Sequence, residues 1–292
     1  MNLTMKLKKR GRKRISRSVG GDIFVFTLLG IMGLFMALPL IYVVSNAFKP
    51  YSELFRFPPR FLVQHPTLEN FKQMGEAIGS SWVPFSRYLF NTVFITVIGV
   101  VLQIMIATCA AYGLSKFDFP GRKFLFGIVV YALMFPAIVT SVPTYLIFSK
   151  LNMLDSHLAI ILPALQSSMG LYLMKQFMEQ SLPNALLEAA RIDGAGELYI
   201  IFKIVLPLMK PAWMTLGILS IQSLWNATGG NFIYSENLKT LPVALSQIVS
   251  SGVARTGAGA AISLCMLLVP IITFVISQNQ VMETMSTSGM KD

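Results

Sequence analysis

One stretch of this chain has residue types and spacing suited to a defined task. It runs from Ser181 to Pro211 and reads SLPNALLEAARIDGAGELYIIFKIVLPLMKP. Within it stand Glu188-Ala189-Ala190, then Gly194 after three residues, then Ile204-Val205-Leu206-Pro207 after nine more. The chemistry this offers is docking, not bond-making. Ala189, Ala190 and Gly194 let a backbone approach a partner surface closely, and Glu188 supplies a carboxylate for a charge-assisted hydrogen bond or ion pair. Arg191 lies three residues from Glu188, so an internal pair contributing a few tenths of a kcal/mol is an equally simple use of that charge. Groups for catalysis are missing from the sequence. There is no GxxxxGK[ST] phosphate loop, no HExxH and no GxSxG, and His65 and His157 are the sole imidazoles. Cys109 and Cys265 both sit in apolar segments, so neither a disulfide framework nor a cysteine metal site is read, and the metal-ligand set is empty.

The elements that position this motif follow from its pattern. Pro183 suits the first turn of a helix that Asn184 to Ile192 continue, and Asp193-Gly194-Ala195-Gly196 stops it. A second helix is expected with Leu198, Ile201, Phe202 and Val205 on one face, spaced i, i+3, i+4, i+7, and with Pro207 at its end. The expected product is a helix-turn-helix lying along a membrane surface with its polar groups toward the cytoplasm.

The membrane itself is read from composition. Of 292 residues, 54% are apolar and 13% charged, against about a quarter charged in ordinary soluble domains. Six charge-free stretches are long enough to cross a hydrocarbon core of ~30 Å: Ile23–Val44, Tyr88–Leu114, Phe124–Ser149, Leu158–Met174, Pro211–Thr228 and Gly257–Ser277. The net charge of +11 is concentrated in the basic residues between Lys6 and Arg17, just ahead of the first stretch. That placement is the positive-inside arrangement and points to lipid, not nucleic acid. An even number of spans then puts both termini in the cytoplasm, with 16 Lys/Arg on that side and 8 outside. The expected organisation is a basic tail at 1–22, a six-helix domain at 23–277 and a cytoplasmic tail at 278–292. Outer loops occupy 47–87 and 229–255, and the helix-turn-helix occupies 181–207.

The first outer loop carries Phe57-Pro58-Pro59, Phe61, Trp82 and Phe85, which read equally well as an interfacial aromatic belt or as binding groups. The second has Gly229-Gly230 to turn the chain sharply, then Asn231, Tyr234, Glu236 and Asn237 as polar contacts, and a short helix expected from Pro242 to Val249. Within the spans, Pro39, Pro136, Pro143, Pro163 and Pro270 interrupt hydrogen-bond ladders where helices kink. The polar and aromatic residues near mid-span are Gln103, Tyr131, Gln166, Ser167, Ser168, Gln222, Trp225 and Asn226. They offer a sugar both hydroxyl partners and flat faces, although interhelical hydrogen bonding selects the same residue types. The lack of an acid or base at mid-span argues against a proton-coupled carrier. Outer segments carry a net charge of +3, which would steer an anionic oligosaccharide inward; lipid headgroups or an acidic partner account for it equally well.

The spacing of Glu188, Ala189, Ala190, Gly194, Ile204, Leu206 and Pro207 resembles the EAA loop of bacterial ABC importer permeases at every fixed position. With the six spans, the basic start and the large loop before the last span, the chain looks most like the MalG-type carbohydrate permeases. The resemblance implies an all-α integral membrane protein of the type I, MetI-like importer fold in the bacterial cytoplasmic membrane. It implies a coupling site at Glu188, Ala189, Ala190, Asp193, Gly194, Ile204, Leu206 and Pro207, and a substrate path drawn from the mid-span set. It also implies a loop at Gly229, Gly230, Asn231, Tyr234 and Asn237 that meets a solute-binding protein. The implied partners are a second permease subunit of different sequence, two copies of a cytoplasmic ATPase and the extracytoplasmic binding protein. No cofactor is expected on this chain, since ATP and Mg would sit on the ATPase. The expected cargo is an oligosaccharide; the alternatives are a permease of the same class for a non-sugar solute, or a secondary transporter, for which inverted repeats and intramembrane charges are lacking.

Overall fold

The computed structural model describes residues 19–79, 83–250 and 256–289. The basic run from Lys6 to Arg17, Trp82, Arg255 and Lys291 lie outside them. All elements among the described residues are helical. Helix α1 (Val19–Ala47) passes through Pro39 without ending. A short α2 (Tyr51–Leu54) and α3 (Glu69–Gly79) shape the first outer loop, and α4 (Phe85–Lys116) follows. The remaining helices are α5 (Arg122–Ala132), α6 (Ala137–Lys150), α7 (Leu158–Leu165), α8 (Ser168–Ser181), α9 (Asn184–Ile192), α10 (Glu197–Ile200), α11 (Leu206–Leu208), α12 (Lys210–Trp225), α13 (Leu241–Ser250) and α14 (Thr256–Gly289).

Four helical runs are long and apolar enough to cross a membrane: Gly20–Ala47, Phe85–Lys116, Leu158–Ser181 and Thr256–Asn279. The bent pair Glu197–Leu208 and Lys210–Trp225, whose axes meet at 81°, passes the same test only when its two arms are joined, and the second arm covers the expected fifth span. The expected third span, Phe124–Ser149, is not one helix. It is divided into α5 and α6 at Leu133–Pro136, because Pro136 has no N–H to donate and disfavours helical backbone in the residue before it. The fourth expected span does not stop at Met174. It continues to Ser181 through Lys175, which is buried. This charge is accommodated because Lys175 Nζ donates to Glu179 Oε1 at 2.7 Å, one turn on, and lies 4.0 Å from the Phe126 ring centroid. The sixth helix likewise outruns its expected end at Ser277 and stays helical to Gly289.

α4 occupies the middle of the bundle and packs against α8, α12 and α7. It is also less interrupted than its neighbours. α1, α6, α7 and α14 contain Pro39, Pro143, Pro163 and Pro270, α5–α6 and α7–α8 are broken, and α12 is bent sharply from α11. Among the described spans α4 alone is unbroken and free of proline. Two apolar clusters flank it toward its ends. One joins Ala107, Ala111 and Tyr112 to α8, α9 and the segment 200–216; the other joins Tyr88 to α13 and the start of α14.

Candidate coupling and transport sites

The helix-turn-helix forms where the sequence places it. α9 spans Asn184–Ile192 with Pro183 at its N-cap, one residue outside the expected first turn. It ends in a Schellman turn, with Gly194 N–H donating to the Arg191 carbonyl at 3.0 Å and Ala195 N–H to the Ala190 carbonyl at 2.9 Å. Gly194 has φ +83°, and a Cβ there would meet nothing within 4 Å. Within this chain, then, the glycine is required by backbone conformation and not by crowding.

The second helix differs from expectation. Leu198 and Phe202 are exposed, whereas Ile200, Ile201, Val205 and Met209 are buried. A π-helical segment, Ile201–Val205, shifts the buried stripe by widening one turn. The continuous helical run from Glu197 closes at Leu208, one residue past Pro207, and the chain turns sharply at Met209. Of the motif residues, Ala190 is buried against the bundle with Leu187, Ile204 and Leu206 are half-buried, and Glu188, Ala189, Asp193, Gly194 and Pro207 are exposed. The free face was expected to be polar, yet it carries Leu186, Ile192 at 86% exposure and Leu198 at 70%. Exposed apolar side chains of this kind suit contact with a protein or with a membrane surface.

The Glu188 carboxylate takes no part in any hydrogen bond or ion pair among the described residues. Its expected internal partner, Arg191, is engaged elsewhere: Arg191 Nε donates to Glu197 Oε1 at 2.8 Å and Nη2 to the Tyr112 hydroxyl at 3.2 Å. Tyr112, buried near the end of α4, donates to Glu197 Oε2 at 2.6 Å. Hydrogen bonds from Arg191, then Tyr112, hold the Glu197 carboxyl below the usual carboxylate range. One turn on, Lys116 Nζ donates to the Leu182 carbonyl at 2.6 Å and to Asn184 Oδ1 at 2.9 Å. The motif is therefore fastened to the end of α4 on both sides of α9. Sequence reasoning missed Tyr112, Lys116 and Glu197, since contacts 66 to 85 residues apart leave no local pattern.

The other end of α4 holds the second outer loop. Asn91, fully buried, donates through Nδ2 to the Asn237 and Lys239 carbonyls at 2.8 and 2.9 Å. Arg87 Nε donates to the Asn237 carbonyl at 3.2 Å, Tyr88 to Glu236 Oε1 at 2.9 Å, and the Leu241 N–H to Thr92 Oγ1 at 2.8 Å. Gly229 and Gly230 have φ +73° and +49°, as a sharp turn requires. The loop's expected polar contacts divide: Glu236 and the Asn237 carbonyl are tied inward, while the Asn231 and Tyr234 side chains remain exposed. Asp155 anchors the same loop, accepting from the Tyr234 and Ser235 amides at 2.9 and 2.8 Å and from the Ser235 hydroxyl. The short helix after the loop, Leu241–Ser250, matches expectation.

The mid-span set separates into lining and structural residues. Gln103, Gln166 and Ser167 line a cleft of about 260 Å³ with Pro163, Ser220 and Ser223, at the break between α7 and α8. Ser167 Oγ also accepts the Gly170 amide as the N-cap of α8. Trp225 is buried and donates Nε1 to the Met266 carbonyl at 3.2 Å, and Asn226 Nδ2 donates to the Gln222 carbonyl one turn back. Those three are thus outside the cleft, as is Tyr131, which is 70% exposed on α5. Several outer cations are engaged locally. Lys49 is buried and donates to the Arg60 carbonyl at 2.6 Å, and Lys239 pairs with Glu236 at 2.5 Å. With Arg87 they hold loops together, and the net charge of the outer segments is unchanged by these contacts.

A bundle of apolar helices packed around α4, with a helix-turn-helix at one end of it, is the architecture of a membrane permease. Residues 99–281 match the family model described as binding-protein-dependent transport system inner membrane component. The chain belongs to this family of transport permeases, and is a multi-pass protein of the inner membrane. It is 31% identical to the arabinooligosaccharides transport system permease protein AraQ of Halalkalibacterium halodurans over 87% of this chain and 90% of that protein. It is 32% identical to the polygalacturonan/rhamnogalacturonan transport system permease protein YtcP of Bacillus subtilis, over 79% of each. Among solved structures it resembles a chain of a bacterial ABC transporter involved in the import of the acidic polysaccharide alginate, with a TM-score of 0.75 and 26% identity over 90% of this chain and 98% of that one.

Proposed function

We propose that this chain is one of two permease subunits of an ABC importer that passes an oligosaccharide from a binding protein to the cytoplasm, driven by two copies of a separate ATPase. The observation that carries the coupling role is the free face of α9 and α10. A helix-turn-helix held rigidly to α4 presents Leu186, Ile192 and Leu198 outward beside an unpaired Glu188, as a docking surface for another subunit does. Glu188, Ala189, Ala190, Asp193, Gly194, Ile204, Leu206 and Pro207 form that coupling element, with both termini on the same cytoplasmic side. At the opposite end of α4, Gly229, Gly230, Asn231, Tyr234 and Asn237 form the loop that meets the binding protein. Gln103, Gln166 and Ser167 line the path at the α7–α8 break, where backbone freed from helical bonding is available to hydroxyl groups.

Support for a carbohydrate cargo comes from the names of the relatives, which include transporters of arabinooligosaccharides and of polygalacturonan. The net charge outside favours an acidic member of that class. The test is reconstitution of the complex purified from its native membrane into liposomes with ATP inside, followed by uptake of labelled arabinotriose and trigalacturonate. ATP-dependent accumulation of either sugar is expected. Accumulation without ATP would refute the importer reading, and uptake of neither sugar would refute the cargo.

A further inference from the structure

We infer that the cleft between α6 and the loop entry Gly230–Tyr234 is a carbohydrate subsite at the outer mouth of the permease, separate from the Gln103 cleft and from any protein-docking role of the loop. The inference rests on the sugar-cargo reading above. The cleft has a volume of about 610 Å³ and is lined by Ser141, Val142 and Tyr145 of α6 and by Asn231, Phe232 and Tyr234 of the loop. A sugar ring presents an apolar C–H face and a rim of hydroxyls, so its recognition needs flat apolar surfaces with short donor-acceptor groups at their edges.

This cleft supplies both. The Phe232 ring lies 6.2 Å from the Tyr145 ring and 5.8 Å from that of Phe148, which is buried behind it. The Tyr145 and Tyr234 hydroxyls meet at 2.9 Å across the cleft. A phenol both donates and accepts, so this single mutual bond leaves acceptor and donor capacity at the edge of both rings for sugar hydroxyls. The exposed Asn231 amide adds two donors and an acceptor.

The aromatic faces are also held in place before any ligand arrives, which lowers the ordering cost of binding. Asp155 fixes the backbone from Phe232 to Ser235: its N–H donates to the Phe232 carbonyl at 2.8 Å, and its carboxylate accepts the Tyr234 and Ser235 amides. Hydrogen bonds from the Ser235 hydroxyl and these amides keep that carboxyl below its usual range. No Lys, Arg, Asp or Glu is among the lining residues. The subsite therefore reads ring faces and hydroxyls, and a neutral oligosaccharide is as good a ligand as a uronate.

The test uses the whole purified complex in nanodiscs, without binding protein, and saturation-transfer NMR from aromatic protons to arabinotriose and to trigalacturonate. Wild type should transfer saturation to ring C–H protons of both sugars. Tyr145→Ala and Tyr234→Ala should each weaken apparent affinity about five-fold or more, as loss of a stacking face predicts, while Tyr145→Phe keeps most of the transfer. Binding-protein-stimulated ATP hydrolysis should stay unchanged in both Tyr145 variants, which lie on α6 and outside the loop that meets the binding protein. Undiminished transfer in both alanine variants would overturn the subsite. So would unchanged transfer together with lost stimulation, which would make the loop a docking element alone. Transport of sugar by wild type with no saturation transfer would overturn the subsite but leave the cargo reading standing; failure of wild type to transport either sugar would overturn both.

Discussion

Tyr112→Phe tests whether α4 grips the coupling loop through the Tyr112–Arg191–Glu197 cluster. The change deletes one hydroxyl and nothing else, and removes the 2.6 Å bond to Glu197 and the 3.2 Å bond from Arg191. A hydrogen bond to a charged group contributes ~1.5–3 kcal/mol. Glu197 is 42% exposed and Arg191 36%, so water replaces part of what is lost and the low end applies. A loss of ~1.4 kcal/mol corresponds to a ten-fold rise in the population of loop detached from α4. The measurement is amide exchange over Asp193–Val205 in the reconstituted complex, where exchange through local opening scales with that population. About ten-fold faster exchange is expected there, with the outer-loop amides around Leu241 unchanged. Stimulation of ATP hydrolysis by loaded binding protein should fall while basal hydrolysis persists. Equal exchange in the variant and wild type would refute the claim that this cluster fastens the loop.

Acid should loosen the same contact. The Glu197 carboxyl is held below its unfolded value near ~4.3, so its stabilisation is complete above that value and disappears as pH falls through the lower, folded one. Exchange over the loop, normalised to intrinsic rates, should be constant from pH 7 to 5 and accelerate below 4; acceleration already between pH 7 and 6 would contradict this. Gly194→Val meets open space but a left-handed backbone, a strain of ~1–2 kcal/mol; with Glu188→Lys it should abolish transport while membrane levels stay normal, and transport at the wild-type rate would remove the motif from coupling. A Cβ on Gly170 would lie 2.8 Å from Leu216 Cδ1 and 2.9 Å from Ser167 Oγ, so Gly170→Ala should lower the thermal midpoint by the equivalent of ~1–3 kcal/mol. The control Gly127→Ala, with nothing within 4 Å, should not, and equal midpoints would show that the α8–α12 contact is loose. Cysteine labelling at Gly121, Leu186 and Met290 should report cytoplasm and at His65 and Asn237 the outside; one reversed site would remove a span.

Both ends of α4 are committed. Arg87, Tyr88, Asn91 and Thr92 hold the outer loop, and Tyr112 and Lys116 hold the coupling loop. The helix that joins them has 32 residues without proline or break, so its hydrogen-bond ladder runs uninterrupted from one loop to the other.

The sequence by itself determined the membrane class, the helix-turn-helix at 184–208 and the turn glycines, because each is a local property. Apolar length decides insertion, the spacing of Glu188 to Pro207 lies within one short segment, and a positive φ at Gly194, Gly229 and Gly230 is a demand on single residues. Where elements stop was less legible. A charge at Lys175 reads as a span boundary until Glu179 and Phe126 are seen to partner it, and the face Leu198–Phe202 reads as buried until the π-helical turn rotates the stripe to Ile200, Ile201 and Val205. Periodicity assumes an unbroken 3.6-residue helix, and one widened turn invalidates it. The tertiary structure alone decided which polar residues face a cleft and which serve packing. Gln103 and Trp225 are both polar-capable mid-span residues, yet Gln103 lines the space at the α7–α8 break while Trp225 is buried against Met266 of α14. Partnerships such as Tyr112 with Glu197 or Asn91 with Asn237 join positions 85 and 146 residues apart. They exist because helix packing brings those side chains together, and nothing in the local residue order encodes that approach.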